Sequence, residues 1–167
     1  MHVECVETIL GQFHHFIVYE PILMSCVLSE KFLFELVDSG KVKLVFKEDY
    51  RARVAYHIHC HMEKLGWIIF TKELMGMIPG VSLTVLESGC CGMAGTYGFK
   101  KENYKYSQEI GSHVFEQIKS LSPDFVCCEC ETCKWQIEMS TGYQVLNPIV
   151  IIADALDTEA TMAANKR

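Results

Sequence analysis

Arg53-Val-Ala-Tyr-His-Ile-His59 is a run of strand-forming residues with a thiol, Cys60, directly after it. Helix-like sequence follows over residues 62–77 and is stopped by Pro79-Gly80. The same order then returns. Val81-Ser-Leu-Thr-Val-Leu86 predicts a second strand leading into Cys90-Cys91-Gly92, and Asp124-Phe-Val-Cys-Cys128 a third leading into Cys130-Glu-Thr-Cys133. Between them, residues 103–121 space Ile110, Val114, Phe115, Ile118 and Leu121 three or four apart, as one buried helical face requires, and Pro123 closes that helix. Strands separated by helices need crossover connections. The expected fold class is therefore α/β: a small parallel sheet of βαβ units with helices on both faces. Ligands of such sheets gather outside the carboxyl ends of the strands, where Cys60, Cys90, Cys91 and Cys130 all belong.

Downstream, residues 131–140 predict a helix ended by Gly142, and Asn147-Pro148 predicts a cap and first residue of another, reaching about residue 156. Upstream, Ser29 is placed to cap a helix over residues 30–38, with Phe32, Leu33, Leu36 and Val37 inward and Gly40 ending it. The expected organisation is a helical lead-in over residues 1–50, a cysteine-rich domain over 51–157 and a frayed polar tail over 158–167. The longest apolar stretch, residues 9–28, is charge-free for only 11 residues before Glu20, against the roughly 20 that a spanning helix needs. A buried helix is the expectation there, with attachment to a membrane surface through an apolar face as the other reading.

Half of the residues are apolar and 22% are charged, a composition that supports a packed core. A net charge of −6 speaks against a nucleic-acid partner, which needs a basic face. Met1-His2-Val3-Glu4 carries no basic start of a secretory signal, and the nine cysteines are odd in number. Both points favour the cytoplasm, including its face of the inner membrane, and metal binding over disulfides.

Five of the cysteines follow the pattern C-x29-CC-x38-C-x2-C: Cys60, Cys90, Cys91, Cys130 and Cys133. Soft thiolates suit iron–sulfur clusters, zinc and copper(I). A lone C-x-x-C is shared by zinc knuckles and dithiol redox sites, whereas five thiols at three strand ends exceed the four of a tetrahedral zinc site. Adjacent Cys90 and Cys91 reach one centre only through a turn or around a cluster of several metals. Gly92, Gly95 and Gly98 follow, and glycine lets backbone approach a cluster closely, with amides free to donate to sulfur. Cys127 and Cys128, inside the third strand, read as small buried hydrophobes, and Cys5 and Cys26 as ordinary core or surface thiols. Alternation puts His57, His59 and His61 on one strand face; core packing or hydrogen bonding is the plainer reading than ligation. His14-His15 and His113 read as structural, and Trp67 and Trp135 as packing residues. No Ser/His/Asp or paired-carboxylate arrangement can be argued, so no catalytic reaction of the chain's own is expected.

Over residues 50–156 the chain resembles the cysteine-rich CCG domain found in the B subunit of heterodisulfide reductase and in related iron–sulfur proteins. The stretches Cys60-His-Met-Glu-Lys-Leu-Gly-Trp67, Cys90-Cys-Gly-Met-Ala-Gly-Thr-Tyr-Gly-Phe-Lys-Lys-Glu-Asn-Tyr104 and Cys130-Glu-Thr-Cys-Lys-Trp-Gln-Ile-Glu-Met-Ser-Thr141 look like the C-terminal domain of the C subunit of anaerobic glycerol-3-phosphate dehydrogenase. The resemblance implies electron transfer in anaerobic respiration, from flavin-bearing dehydrogenase subunits toward membrane quinone. It also implies a [4Fe-4S] cluster, of the non-cubane kind, held by Cys60, Cys90, Cys91, Cys130 and Cys133. Two features depart from that pattern. Residues 1–50 lack the ferredoxin-like C-x-x-C-x-x-C-x-x-x-C-P runs, so a shortened homologue, a separately encoded half or a fragment is expected; and His59 stands where the family often has proline. Two other classes stay open: a structural zinc or partner-docking module, and a thiol–disulfide enzyme using Cys130 and Cys133.

Overall fold

Strands β1 (Ala52–Tyr56), β2 (Val81–Val85), β3 (Phe125–Cys127) and β4 (Val145–Leu146) form one parallel sheet in the order β2-β1-β3-β4. The computed structural model describes residues 29–87 and 89–166. The expectations for the apolar stretch before residue 29, for Cys5 and Cys26 and for His14-His15 lie outside the described residues. Strand β4 leaves no signal in the sequence, because two residues carry no periodicity. The chain builds outward from β1 to β2, then crosses back to β3 on the other side. That reversal makes the carboxyl ends of β1 and β3 the switch point of the sheet, where ligands of such folds bind. There Tyr56 pairs with Cys127, and the His57 amide donates to the Cys127 carbonyl at 2.9 Å.

Helices cover both faces. On one pack α1 (Ser29–Asp38), α3 (Ile68–Gly76) and α6 (Pro148–Ala155), burying Leu33, Leu74, Met75, Ile151 and Ile152 against Ala52, Val54, Tyr56 and Cys127. On the other lie α4 (Tyr104–Leu121) and α5 (Glu131–Thr141), burying Val114, Phe115, Ile118 and Ile137 against Ala55 and Val126. Each fully buried aliphatic side chain is worth about 1.5–3 kcal/mol over leaving it in water, so these two layers carry the fold.

Several boundaries shift for identifiable reasons. The single helix expected over residues 62–77 is two, α2 (Cys60–Leu65) and α3. Gly66 adopts φ +66°, and the Trp67 amide donates back to the Met62 carbonyl, a left-handed stop that glycine makes without strain. On α4 the buried stripe runs Ser107, Gly111, Val114, Phe115 and Ile118, while Ile110 and Leu121 face outward. The expected caps at Asn147 and Gly142 are present: Asn147 Oδ1 accepts from the Ile149 amide at 3.0 Å, and Gly142 takes φ +77°.

Within the tail that composition suggests is frayed, residues Thr158–Ala164 are helical. Asp157 caps α7 (Thr158–Ala164), accepting from the Ala160 amide at 2.9 Å. Thr161 Oγ1 accepts from the Val45 amide and donates to its carbonyl, at 3.0 and 3.1 Å. Asn165 does the same for Lys43, at 2.8 Å each way. Small polar residues suggest fraying by composition, but here their side chains complete the hydrogen bonds of residues 43–45.

Candidate metal centre

The ends of two strands build the centre. Tyr56 and Cys127, the last residues of β1 and β3, point to the α1/α3/α6 face; directly after them come His57 and Cys128, and Cys128 packs on the α4/α5 face. Helix α5 starts there with Cys130 as its N-cap and carries Cys133 inward on its first turn. From the other side the Cys90-Cys91-Gly92 turn brings Cys91 down. Cys91 Sγ lies 3.1 Å from Cys133 Sγ, across 42 residues of sequence. The ligand atoms of His57, Cys128 and Cys133 all lie within 4.8 Å of one another. All four residues are buried, at 2%, 3%, 3% and 6% exposure for His57, Cys91, Cys128 and Cys133, so this is a closed pocket rather than a surface cluster.

The thiols shift one another's proton affinity. Cys91 donates to Cys133, which together with burial pushes the Cys91 thiol well up, while His57 beside it pulls the other way. The neighbouring Cys128 and burial raise the Cys133 thiol as well. Cys130 differs. Burial pushes it up, but the Thr132 hydroxyl and the amides of Thr132 and Cys133 outweigh that, and its thiol lies below the ordinary value. A depressed thiol at a helix start is a ready soft ligand.

Of the five thiols singled out in sequence, the structure brings Cys91 and Cys133 into contact and sets Cys130 beside them. Cys60, the first residue of α2, is exposed, with its sulfur 4.0 Å from His61 Nδ1. Cys90 is exposed too, and its sulfur accepts from the Gly92 amide at 3.3 Å. The structure also sets Cys128 and His57 beside Cys133, where the sequence reading favours core packing for each. Cys127 is the inert core residue expected of both, whereas Cys128 has already left the strand. The expected alternation of His57, His59 and His61 fails because β1 ends at Tyr56. The rule that selects Cys60 and Cys90, position just past a strand, also selects His57 and Cys128.

The glycines have a different neighbour from the one expected. A Cβ on Gly92, at φ +91°, would lie 1.9 Å from the Ser107 carbonyl oxygen, and one on Gly98 would lie 2.6 Å from Ser107 Oγ. Their close approach is to helix α4; around Gly95 a Cβ would meet nothing within 4 Å. Buried Ser107 donates to the Gly92 carbonyl and accepts from Gln136 Nε2, both at 2.8 Å. Gln136 follows Cys133 on α5, so this pair of bonds ties the helix carrying one thiol to the loop carrying the other. Trp135, expected as a packing residue, is half-exposed and stands edge-on to Phe99 at 6.1 Å.

Behind the strands lies a polar group of another kind. Buried Glu129 accepts from the Tyr56 hydroxyl at 2.6 Å and from Thr71 Oγ1 at 2.9 Å. Burial holds its carboxyl, and that of fully buried Glu30, above the ordinary range.

With this geometry the class is defined: a parallel α/β domain with buried thiols at its switch point. Residues 54–138 match the cysteine-rich domain family CCG, and the chain belongs to it. Over 129 residues it is 51% identical to the C subunit of the anaerobic glycerol-3-phosphate dehydrogenase of Escherichia coli (strain K12), covering 77% of this chain and 32% of that protein. Its counterpart from Escherichia coli O157:H7 matches to the same extent. A D-2-hydroxyglutarate dehydrogenase of Haemophilus influenzae is 26% identical over 108 residues, covering 55% of this chain and 10% of that one. The chain thus spans about a third of the length of the two glycerol-3-phosphate dehydrogenase relatives. Among the described residues no helix is long and apolar enough to cross a membrane.

Proposed function

We propose that the chain is an iron–sulfur electron-transfer module serving a flavin-dependent glycerol-3-phosphate dehydrogenase. In this reading Cys60, Cys90, Cys91, Cys130 and Cys133 hold a four-iron cluster. The observation that supports it most is the 3.1 Å contact of Cys91 and Cys133 at the switch point, with the depressed thiol of Cys130 alongside. The donor types suit the group: all five are soft sulfurs, Cys91 and Cys133 buried, Cys130 half-buried, and Cys60 and Cys90 exposed. When bound, such a cluster supplies one-electron transfer.

The chain's own residues would then bind the group, exclude water from its inner side and leave the rim near Cys60 and Cys90 facing a partner. The Gly92 amide already donates to the Cys90 sulfur, and hydrogen bonds to ligating sulfur are one lever on reduction potential. The partners in this reading are flavin-bearing dehydrogenase subunits, with membrane quinone as the eventual acceptor and a peripheral position on the cytoplasmic face of the inner membrane. The name of the 51%-identical relatives supports the assignment to a glycerol-3-phosphate dehydrogenase.

The test is metal analysis with EPR on full-length chain purified without oxygen. About four irons per chain and a paramagnetic signal in one redox state are expected. The signal should disappear in Cys133→Ser. A folded, iron-free chain that takes up no cluster on anaerobic reconstitution would sink the reading.

A further inference from the structure

Glu129 stands between two thiols at the sheet edge, and its side chain goes the opposite way from both. One oxygen, Oε1, accepts from the Tyr56 hydroxyl at 2.6 Å and from the Thr71 hydroxyl at 2.9 Å. Tyr56 is buried on the α1/α3/α6 face, and Thr71 is buried on α3 itself. Cys128 and Cys130 pack on the α4/α5 face. We propose that Glu129 is the positioning residue of this edge: its carboxyl pins the loop from Cys128 to Cys130 to the end of β1 and to α3, and so fixes Cys130 relative to the segment that carries Cys60. The consequence for a cluster rests on the iron–sulfur reading above; the anchoring itself does not.

The partners of Glu129 flank the Cys60 segment on both sides. Tyr56 is the last residue of β1, shortly before Cys60, and Thr71 lies on α3, the helix after the one that Cys60 opens. His59, directly before Cys60, has its Nε2 4.0 Å from Glu129 Oε2. On the other side of Glu129 the backbone of Cys130 is extended, at φ −95° and ψ 115°, and caps α5. Neighbours along extended backbone point to opposite sides, so holding Glu129 on one face holds Cys128 and Cys130 on the other. The Cys130 amide donates to Cys128 Sγ at 3.4 Å, which keeps the loop tight.

Stability alone does not account for a carboxyl at this place. The Glu129 side chain is 4% exposed, and Oε2 has no hydrogen-bond partner among the described residues. Burying a polar group with one atom unsatisfied costs free energy, whereas apolar side chains at all three positions would fill the space without that cost. What the carboxyl adds is direction. Two hydroxyls from different elements converge on one oxygen, and a satisfied buried network of that kind specifies a single arrangement. Groups outside the ligands orient metal sites in the same way.

Amide hydrogen exchange on reduced, cluster-free full-length chain tests the anchoring. Exchange of residues 128–134 is read against that of β2, which cancels any general loss of stability. Glu129→Ala should raise this ratio by about tenfold, the effect of one or two lost hydrogen bonds. Glu129→Gln keeps Oε1 as acceptor for both hydroxyls and should restore the wild-type ratio. Thr71→Val removes one donor with little change of shape, and should raise the ratio from a distant point in the sequence. An unchanged ratio in Glu129→Ala or Thr71→Val, or no rescue by Glu129→Gln, would overturn the proposal. After anaerobic reconstitution with iron and sulfide, the EPR signal of Glu129→Ala should shift or broaden, and that of Glu129→Gln should match wild type. Identical spectra in wild type and Glu129→Ala would also count against it. A wild-type chain that takes up no iron defeats the iron reading instead, and the exchange measurement still decides this one.

Discussion

Cys127 and Cys128 are neighbours of the same chemistry, yet they belong to different environments. Cys127 faces helices α1, α3 and α6, fully buried among Tyr56, Leu74, Ile151 and Ile152, with its thiol pushed well up by burial. Cys128 faces helices α4 and α5, within reach of His57 and Cys133. One step along a pleated strand separates a space-filling residue from a metal ligand candidate. The two faces differ in how they are closed: one by aliphatic helices, the other by a glycine-rich turn pressed against α4. The chemistry of a cysteine here is set by the side of the sheet to which the pleat sends it.

The strongest way to break this contrast is at the turn. Gly92→Ala combines an unfavourable φ of +91° with a Cβ 1.9 Å from the Ser107 carbonyl, and should cost about 3 kcal/mol or more. Gly95→Ala, at φ +69° in open space, should cost only about 1–2 kcal/mol. Urea denaturation of the two variants measures the difference; equal losses would mean that the turn is not wedged against α4.

A smaller effect sharpens the contrast at the strand. Cys127→Ser buries a hydroxyl among apolar side chains and should lower stability by about 2 kcal/mol while leaving metal content unchanged. Cys128→Ser should show the reverse emphasis, with metal affinity changed more than the stability of the metal-free chain. Identical behaviour of the pair, in paired melts and metal titrations, would erase the distinction between faces.

The smallest expected effect concerns Glu30, on the aliphatic face. Burial raises its carboxyl above the ordinary 4.5, so the folded chain holds that proton more tightly than the unfolded chain does. Stability therefore falls as pH rises from about 4.5 through the folded value, and the full cost is present above that window. Glu30→Gln should stabilise the chain at neutral pH by on the order of 1 kcal/mol, with the gain vanishing below about pH 4.5. A gain that persists at low pH would assign the effect to packing instead of charge.

The sheet was legible because each of its three longer strands is a continuous β-rich run bounded by proline, glycine or cysteine, and parallel strands buried on both faces read that way. The split at Gly66 was missed because a single glycine in a helical pattern is ordinarily tolerated; only its left-handed conformation makes it a stop. That Cys91, Cys130 and Cys133 lie close together was legible from their spacing and strand-end positions. His57 and Cys128 were harder to read, because strand ends are uncertain by a residue and a cysteine or histidine at the end of a β-rich run reads as core. The link from Gln136 to Ser107 spans 29 residues and leaves no local pattern at all.

The docked tail has a consequence for how the molecule keeps to itself. Residues 43–45 belong to no strand of the sheet, and a stretch of backbone with free amides and carbonyls invites pairing by another chain. Thr161 and Asn165 occupy the groups of Val45 and Lys43 from both directions, so the segment meets its surroundings already satisfied. Thr161 and Asn165, with the Asp157 amide on the Val45 carbonyl, thereby act as an insulating sleeve, and losing the two side chains would open the Lys43 groups and the Val45 amide to another chain.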